Sequence, residues 1–77
     1  MKSSIKTISV NIKRLRELKA WSQDDLSEHT GLHRTYISGI ENQKRNPTIA
    51  VLDLISSALS VKTYELLQPN SISDSDK

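Results

Sequence analysis

Four side chains near the middle of the chain are spaced to meet one surface together: Arg34, Thr35, Tyr36 and Ser38. A guanidinium is a planar fork of donors that fits two acceptors side by side, and the two short hydroxyls and the phenol both donate and accept. Residues 42–46, NQKRN, follow with Asn42, Lys44, Arg45 and Asn46, a run of amides and cations suited to anionic oxygens. Gln23 opens an earlier helical stretch, where its amide and the unpaired N–H groups of the first turn together suit an anion. This is the chemistry of recognition by hydrogen bonds and charge, without bond making. The chain has no cysteine, which removes thiolate catalysis and disulfides. His29 and His33 are four apart, but Gly31 lies between them and no nearby third ligand completes a metal site. They read as solvent-exposed side chains, with His33 also placed to cap a helix. With no convergent carboxylates and no glycine-rich phosphate loop, we expect no enzyme, no cofactor and no metal.

These groups need a scaffold, and the flanking residues specify one. Ser22 is a good N-cap and Asp25 can complete a capping box, which starts a helix over 23–30. Gly31 supplies the left-handed conformation of a tight turn, and Leu32 follows as an apolar pin. Residues 34–42 resume a helical pattern with Ile37 and Ile40 on one side and Arg34, Thr35 and Ser38 on the other. A small residue (Ser27), a glycine four later and a β-branched residue (Ile37) six after that meet the needs of a helix-turn-helix: close crossing, turn and plug. A helix of this diameter fits the major groove of DNA, where Arg34 can fork onto the O6 and N7 of guanine. Thr35 and Ser38 can hydrogen-bond or touch a thymine methyl, and Tyr36 can reach a base or a backbone oxygen. Gly39 lets the backbone come close. Gln23 on one side of the groove and Asn42, Lys44, Arg45 and Asn46 on the other should grip phosphates.

With SQ at 22 and 23, TGLHRTYISGIE at 30–41 and RNPT at 45–48, the chain resembles the lambda-repressor-like (Cro/C1, XRE-type) helix-turn-helix family over roughly residues 7–68. Within it, RTYISGIE followed by a basic loop and RN is most similar to the small controller proteins of restriction-modification systems. The resemblance implies an all-α, five-helix lambda-repressor-like domain. It further implies a homodimer on a palindromic operator in double-stranded DNA, controlling its own promoter and that of a restriction endonuclease, activating at low occupancy and repressing at high. RNA polymerase is then a candidate partner. Phage repressors and antitoxins share the family and remain open. Relatives bridge the position of Arg16 to a glutamate late in the recognition helix, here Glu41, which implies a structural ion pair. They place an inward-packing leucine or methionine at Trp21, which favours core packing over base stacking. Two departures stand out. Ser27 replaces the usual alanine, with a hydroxyl able to bond a carbonyl one turn earlier. Ala20 stands where many relatives close the first helix with glycine, which puts the geometry of that cap in question.

Seventy-seven residues make one domain (1–68) with a polar, disordered tail (69–77), small enough to gain stability from self-association. Net charge is only +2, but residues 1–46 carry nine Lys/Arg against five Asp/Glu and residues 47–77 two against four, so one half could face a polyanion. Residues 1–6 read as a loose arm. Residues 7–19 form a first helix with Ile8, Ile12, Leu15 and Leu18 on one stripe. Thr48 caps a fourth helix over 49–59 that has more apolar positions than one face can hold, and a short fifth helix spans 63–68. The surplus, with Leu52, Ile55, Leu66 and Leu67, is the expected dimer interface; Leu66 and Leu67 point about 100° apart, so one can enter the core and the other the interface. No apolar run approaches a membrane span and no signal peptide is visible, so we expect no membrane partner and a cytoplasmic protein. The competing class is a protein-interaction module that kept the fold and lost DNA binding. Acidic or apolar residues at 34, 44 and 45 would favour it, and those positions are cationic.

Overall fold

A computed structural model describes residues 4–69 as five helices: α1 (Ser4–Leu18), α2 (Gln23–Thr30), α3 (Arg34–Glu41), α4 (Ile49–Leu59) and α5 (Thr63–Leu66). Residues 1–3 of the expected arm and residues 70–77 of the expected tail lie outside the described residues. No strand occurs among the described residues.

Helix α1 begins earlier than expected, with Ile5 half-buried one turn before Ile8 and its carbonyl bonded by Ser9 Oγ. The apolar stripe also ends earlier: Leu18 is 66% exposed. The chain leaves α1 through Ala20 in the left-handed region (φ 60°), with Trp21 N–H donating back to the Arg16 carbonyl at 3.0 Å. Alanine therefore takes a left-handed conformation that favours glycine, at a cost of about 1 kcal/mol.

Helix α2 starts as its residues dictate. Ser22 accepts from Asp25 N–H at 3.0 Å, and the Asp25 carboxylate accepts from Ser22 N–H at 2.8 Å. Gly31 (φ 79°) ends it, donating to the Ser27 carbonyl at 2.8 Å. The Ser27 hydroxyl bonds forward to the carbonyl of Leu32, across the turn, and not back by one turn as expected. It can do so because the turn brings that carbonyl over the α2 surface, and the bond ties α2 to the turn that leads into α3. Helix α3 is one residue shorter than expected, with Asn42 as its C-cap. Thr48 caps α4 through Val51 N–H at 3.2 Å. Helix α5 is a single turn, started by the Glu65 carboxylate accepting from Lys62 N–H at 2.9 Å and by Thr63 Oγ1 donating to Asp53 at 2.5 Å.

The core draws on every helix: Ile8 and Ile12 from α1, Leu26 from α2, Ile37 and Ile40 from α3, Leu52, Ile55 and Leu59 from α4, and Leu66 from α5. Leu52, Ile55 and Leu66, three of the residues expected at a dimer interface, are at most 2% exposed within one chain. In so short a domain α4 must cover both α2 and α5, which consumes its central apolar positions. Leu67 does face solvent at 43%, together with Leu54 at 47% and Tyr64 at 59%. Two buried polar side chains lock α1 to its neighbours. Ser9 Oγ lies 2.8 Å from the Ile5 carbonyl and 2.5 Å from that of Ile40. Asn11 Nδ2 donates to the carbonyls of Leu66 at 2.9 Å and Gln68 at 2.8 Å, satisfying orphan acceptors at the end of α5.

Candidate nucleic-acid interface

Ile37 and Ile40 are at most 1% exposed, and their burial fixes the roll of α3 about its axis. Arg34 and Thr35 are thereby exposed and Ser38 half-buried on the outer side, while Tyr36 is half-buried at the flank, packed against the core. Eight helical residues span about 12 Å, close to the width of the major groove. His33 occupies the N-cap position of α3 but makes no capping bond with its side chain. Arg34 Nε lies 3.2 Å from Asp24 Oδ1 of α2, in an open pair whose side chains are 56% and 77% exposed.

Behind this face sits a carboxylate that organises three elements. Arg16 Nε and Nη2 donate to the two oxygens of Glu41 at 2.8 and 2.9 Å, and Arg16 Nη1 donates to the Trp21 carbonyl at 2.6 Å. The side chains are 9% and 3% exposed, so this is the interior ion pair that the family resemblance implies. Hydrogen bonding to Glu41 raises the Arg16 pKa, against the opposing effect of burial, so the guanidinium stays charged. Gln23, expected to face a phosphate, donates Nε2 to Glu41 Oε1 at 3.0 Å. Its amide is thus oriented by the ion pair, with one N–H still uncommitted. The connection was missed from sequence, although a carboxylate taking two bonds from arginine keeps lone pairs for a third donor.

The loop after α3 folds back on the helix. Lys44 and Arg45 N–H both donate to the Gly39 carbonyl, at 2.7 and 3.1 Å, helped by Gln43 in the left-handed region (φ 64°). A Cβ on Gly39 would lie 2.5 Å from Arg45 Cγ, so the glycine makes room for an arginine stem of the same chain. That corrects the expected role of Gly39 in approaching DNA: the space it opens is already filled. Arg45 Cζ is 5.9 Å from the centre of the Tyr36 ring, which places the cation beside the outer face of α3. Asn42 Nδ2 donates to Ser38 Oγ at 3.2 Å, and Lys44 and Asn46 are exposed. The candidate surface therefore carries Arg34, Thr35, Ser38 and Asn42, flanked by Tyr36 and Arg45, with Gln23 held by Glu41.

Trp21 is half-buried and packs against the core, as the resemblance implies. Its other surface carries His29, stacked at 4.0 Å between ring centroids, and Lys19 Nζ at 5.3 Å. His29 is exposed, with Nδ1 2.8 Å from the Asp25 carbonyl. Among the described residues no group of three His, Cys, Asp or Glu side chains could hold a metal ion, and no helix is long and apolar enough to cross a membrane.

Residues 12–66 match the family described as helix-turn-helix. A hypothetical transcription factor of Neisseria meningitidis serogroup B is 36% identical over 62 residues; the match takes in 80% of this chain and 58% of that protein, so this chain spans less than two thirds of its length. Control protein C.SmaI of Serratia marcescens is 37% identical over 60 residues, covering 78% of this chain and 71% of the relative. Among solved structures, the restriction-modification controller protein C.Esp1396I, as a tetramer in complex with its natural 35 base-pair operator, superposes with a TM-score of 0.77 at 40% identity, over 87% of this chain and 92% of that one.

Proposed function

Because the chain belongs to this helix-turn-helix family, we propose that it is a sequence-specific DNA-binding transcriptional regulator, acting as a homodimer on a palindromic operator and serving as the autoregulatory controller of a restriction-modification system. The observation that carries the reading is the outer surface of α3: Arg34 and Thr35 stand exposed opposite the buried Ile37 and Ile40, with Arg45 folded beside them. Controller relatives support the finer assignment, one of them solved as a tetramer on its operator.

In this reading Arg34 reads guanine, and Thr35, Tyr36 and Ser38 contact neighbouring base edges. Asn42, Lys44, Arg45 and Asn46 hold phosphates, joined by the free N–H of Gln23 at the N-terminus of α2. The dimer forms through the exposed apolar side chains of α4 and α5, with Leu67 at its centre, and sets half-sites about 10 bp apart on one side of the duplex. Where the protein activates, RNA polymerase is its second partner. It acts in the cytoplasm, with its own concentration as the regulatory input through dimerisation, and without catalysis.

The test is selection of binding sites from random DNA, with the wild type and with Arg34→Ala. The wild type should recover a palindrome. The variant should lose information at one symmetric position per half-site, a contact worth about 1 to 3 kcal/mol. Failure of the wild type to enrich any sequence would remove the reading. An unchanged consensus from the variant would move Arg34 to phosphate.

A further inference from the structure

Asp24 is the acidic residue paired with the proposed reading arginine, and its charge also suits the first turn of α2. The N-cap of α2 is made by Ser22 and Asp25, whereas Asp24 is 77% exposed and pairs with Arg34 of the next helix at 3.2 Å. We propose that Asp24 is a specificity-determining residue: it holds Arg34 for neutral base edges and withholds it from phosphates. The inference rests on the proposed reading of Arg34.

The physical reason lies in what each ligand of an arginine carries. A guanidinium on a phosphate gains from full charge attraction, which is blind to sequence. The O6 and N7 of guanine are neutral acceptors and gain mainly from geometry. A carboxylate beside Nε opposes the two unequally. It repels an approaching phosphate, and it leaves a neutral acceptor pair without charge repulsion while limiting the swing of the long side chain. The pair is solvent-exposed, so its influence is modest, and it acts at low ionic strength more than at high. Its place between the two helices of the turn directs that modest influence at Arg34, whose Nε lies 3.2 Å away, while any repulsion of a phosphate at neighbouring Gln23 weakens operator and random DNA alike. Asp25 has its carboxylate engaged in the cap, and Glu41 is committed to Arg16 and Gln23.

The experiment measures dissociation constants for a selected operator and for random duplex of equal length, across a salt series, with wild type, Asp24→Asn, Arg34→Ala and the double variant. Melting by circular dichroism accompanies each, and Asp24→Ser serves as a second neutral replacement should the asparagine disturb the turn. Asp24→Asn should bind random DNA more tightly, with a log-log salt slope steeper by about 0.9 for each phosphate that Arg34 captures. The ratio of operator to random affinity should fall roughly two- to fivefold per half-site, the range of an exposed ion pair. In the Arg34→Ala background the same substitution should leave the ratio unchanged. A ratio unaltered by Asp24→Asn, while Arg34→Ala lowers it, overturns the role of Asp24 and keeps that of Arg34. A fall of equal size in both backgrounds also overturns it, because the effect would then be general repulsion. A wild type that does not discriminate at all overturns the reading beneath.

Discussion

Glu41 is the most informative residue to remove. Its carboxylate accepts from Arg16 Nε, Arg16 Nη2 and Gln23 Nε2 at 2.8, 2.9 and 3.0 Å, in a site where its own side chain is 3% exposed. Glu41→Ala leaves the Arg16 charge, 9% exposed, without its counter-ion, which costs about 3 to 5 kcal/mol. A domain of this size has roughly 4 to 12 kcal/mol in all, so the variant should lose at least about a quarter of its stability and, at the low end of that range, unfold. Glu41→Gln should lose less, because an amide oxygen still accepts one arginine bond. Arg16→Met with Glu41→Leu removes both charges, and apolar replacement of a buried pair is often neutral. Here recovery should be incomplete, since Arg16 Nη1 also satisfies the Trp21 carbonyl, and stranding that acceptor costs about 1 to 3 kcal/mol. Urea titration followed by circular dichroism gives the stability of the wild type and of the three variants. A loss below about 1 kcal/mol for Glu41→Ala would refute the assignment, because only a hydrated pair behaves that way.

Ala20→Gly should raise stability by about 1 kcal/mol, since φ 60° strains alanine and not glycine; an unchanged melting temperature would mean the turn relaxes in solution. Gly39→Ala should keep the fold but displace Arg45, weakening operator and random DNA alike, and it should cost no further affinity once Arg45 is alanine. Lys44→Ala should lower the log-log salt slope of binding by about 0.9 without altering the selected sequence, and a changed consensus would make Lys44 a base reader. Leu67→Glu should sediment as a folded monomer that binds the operator poorly, whereas Leu66→Ala should lose about 2 to 5 kcal/mol of folding stability; equal behaviour of the two would contradict their opposite burial.

The local signals were legible because each is decided within a few residues. Ser22 with Asp25, Gly31 and Thr48 each set an end of a helix by a bond to a near neighbour, and all three sit where expected. The alternation of Ile37 and Ile40 with Arg34, Thr35 and Ser38 fixed the outward surface of α3 in the same way. The Arg16 and Glu41 pair spans 25 positions, and family resemblance supplied it. What escaped sequence reasoning depends on three-dimensional neighbours. Leu52 and Ile55 of α4 looked like interface residues because the count of apolar positions is visible, while the two neighbours that bury this particular pair are not. Gln23 and Gly39 had plausible partners in DNA, and their partners in this chain, Glu41 and Arg45, appear only after the turn closes. Asn11 carries no local signal of burial, yet it is 1% exposed because its partners lie more than fifty positions away.

That asparagine has a consequence for how the molecule comes apart. Helix α5 is one turn, far too short to be helical by itself, and it exists through borrowed contacts: Asn11 on its last carbonyls, Asp53 on its first hydroxyl and Leu66 in the core. Leu67 rides on that turn. In the proposed dimer each copy therefore offers its partner a segment whose order is leased from the middle of α1. Opening this one turn costs less than global unfolding and would separate the two copies while leaving α2, α3 and every groove-facing side chain in place. Occupancy of an operator would then end by the parting of the pair, with each half still folded and able to join another.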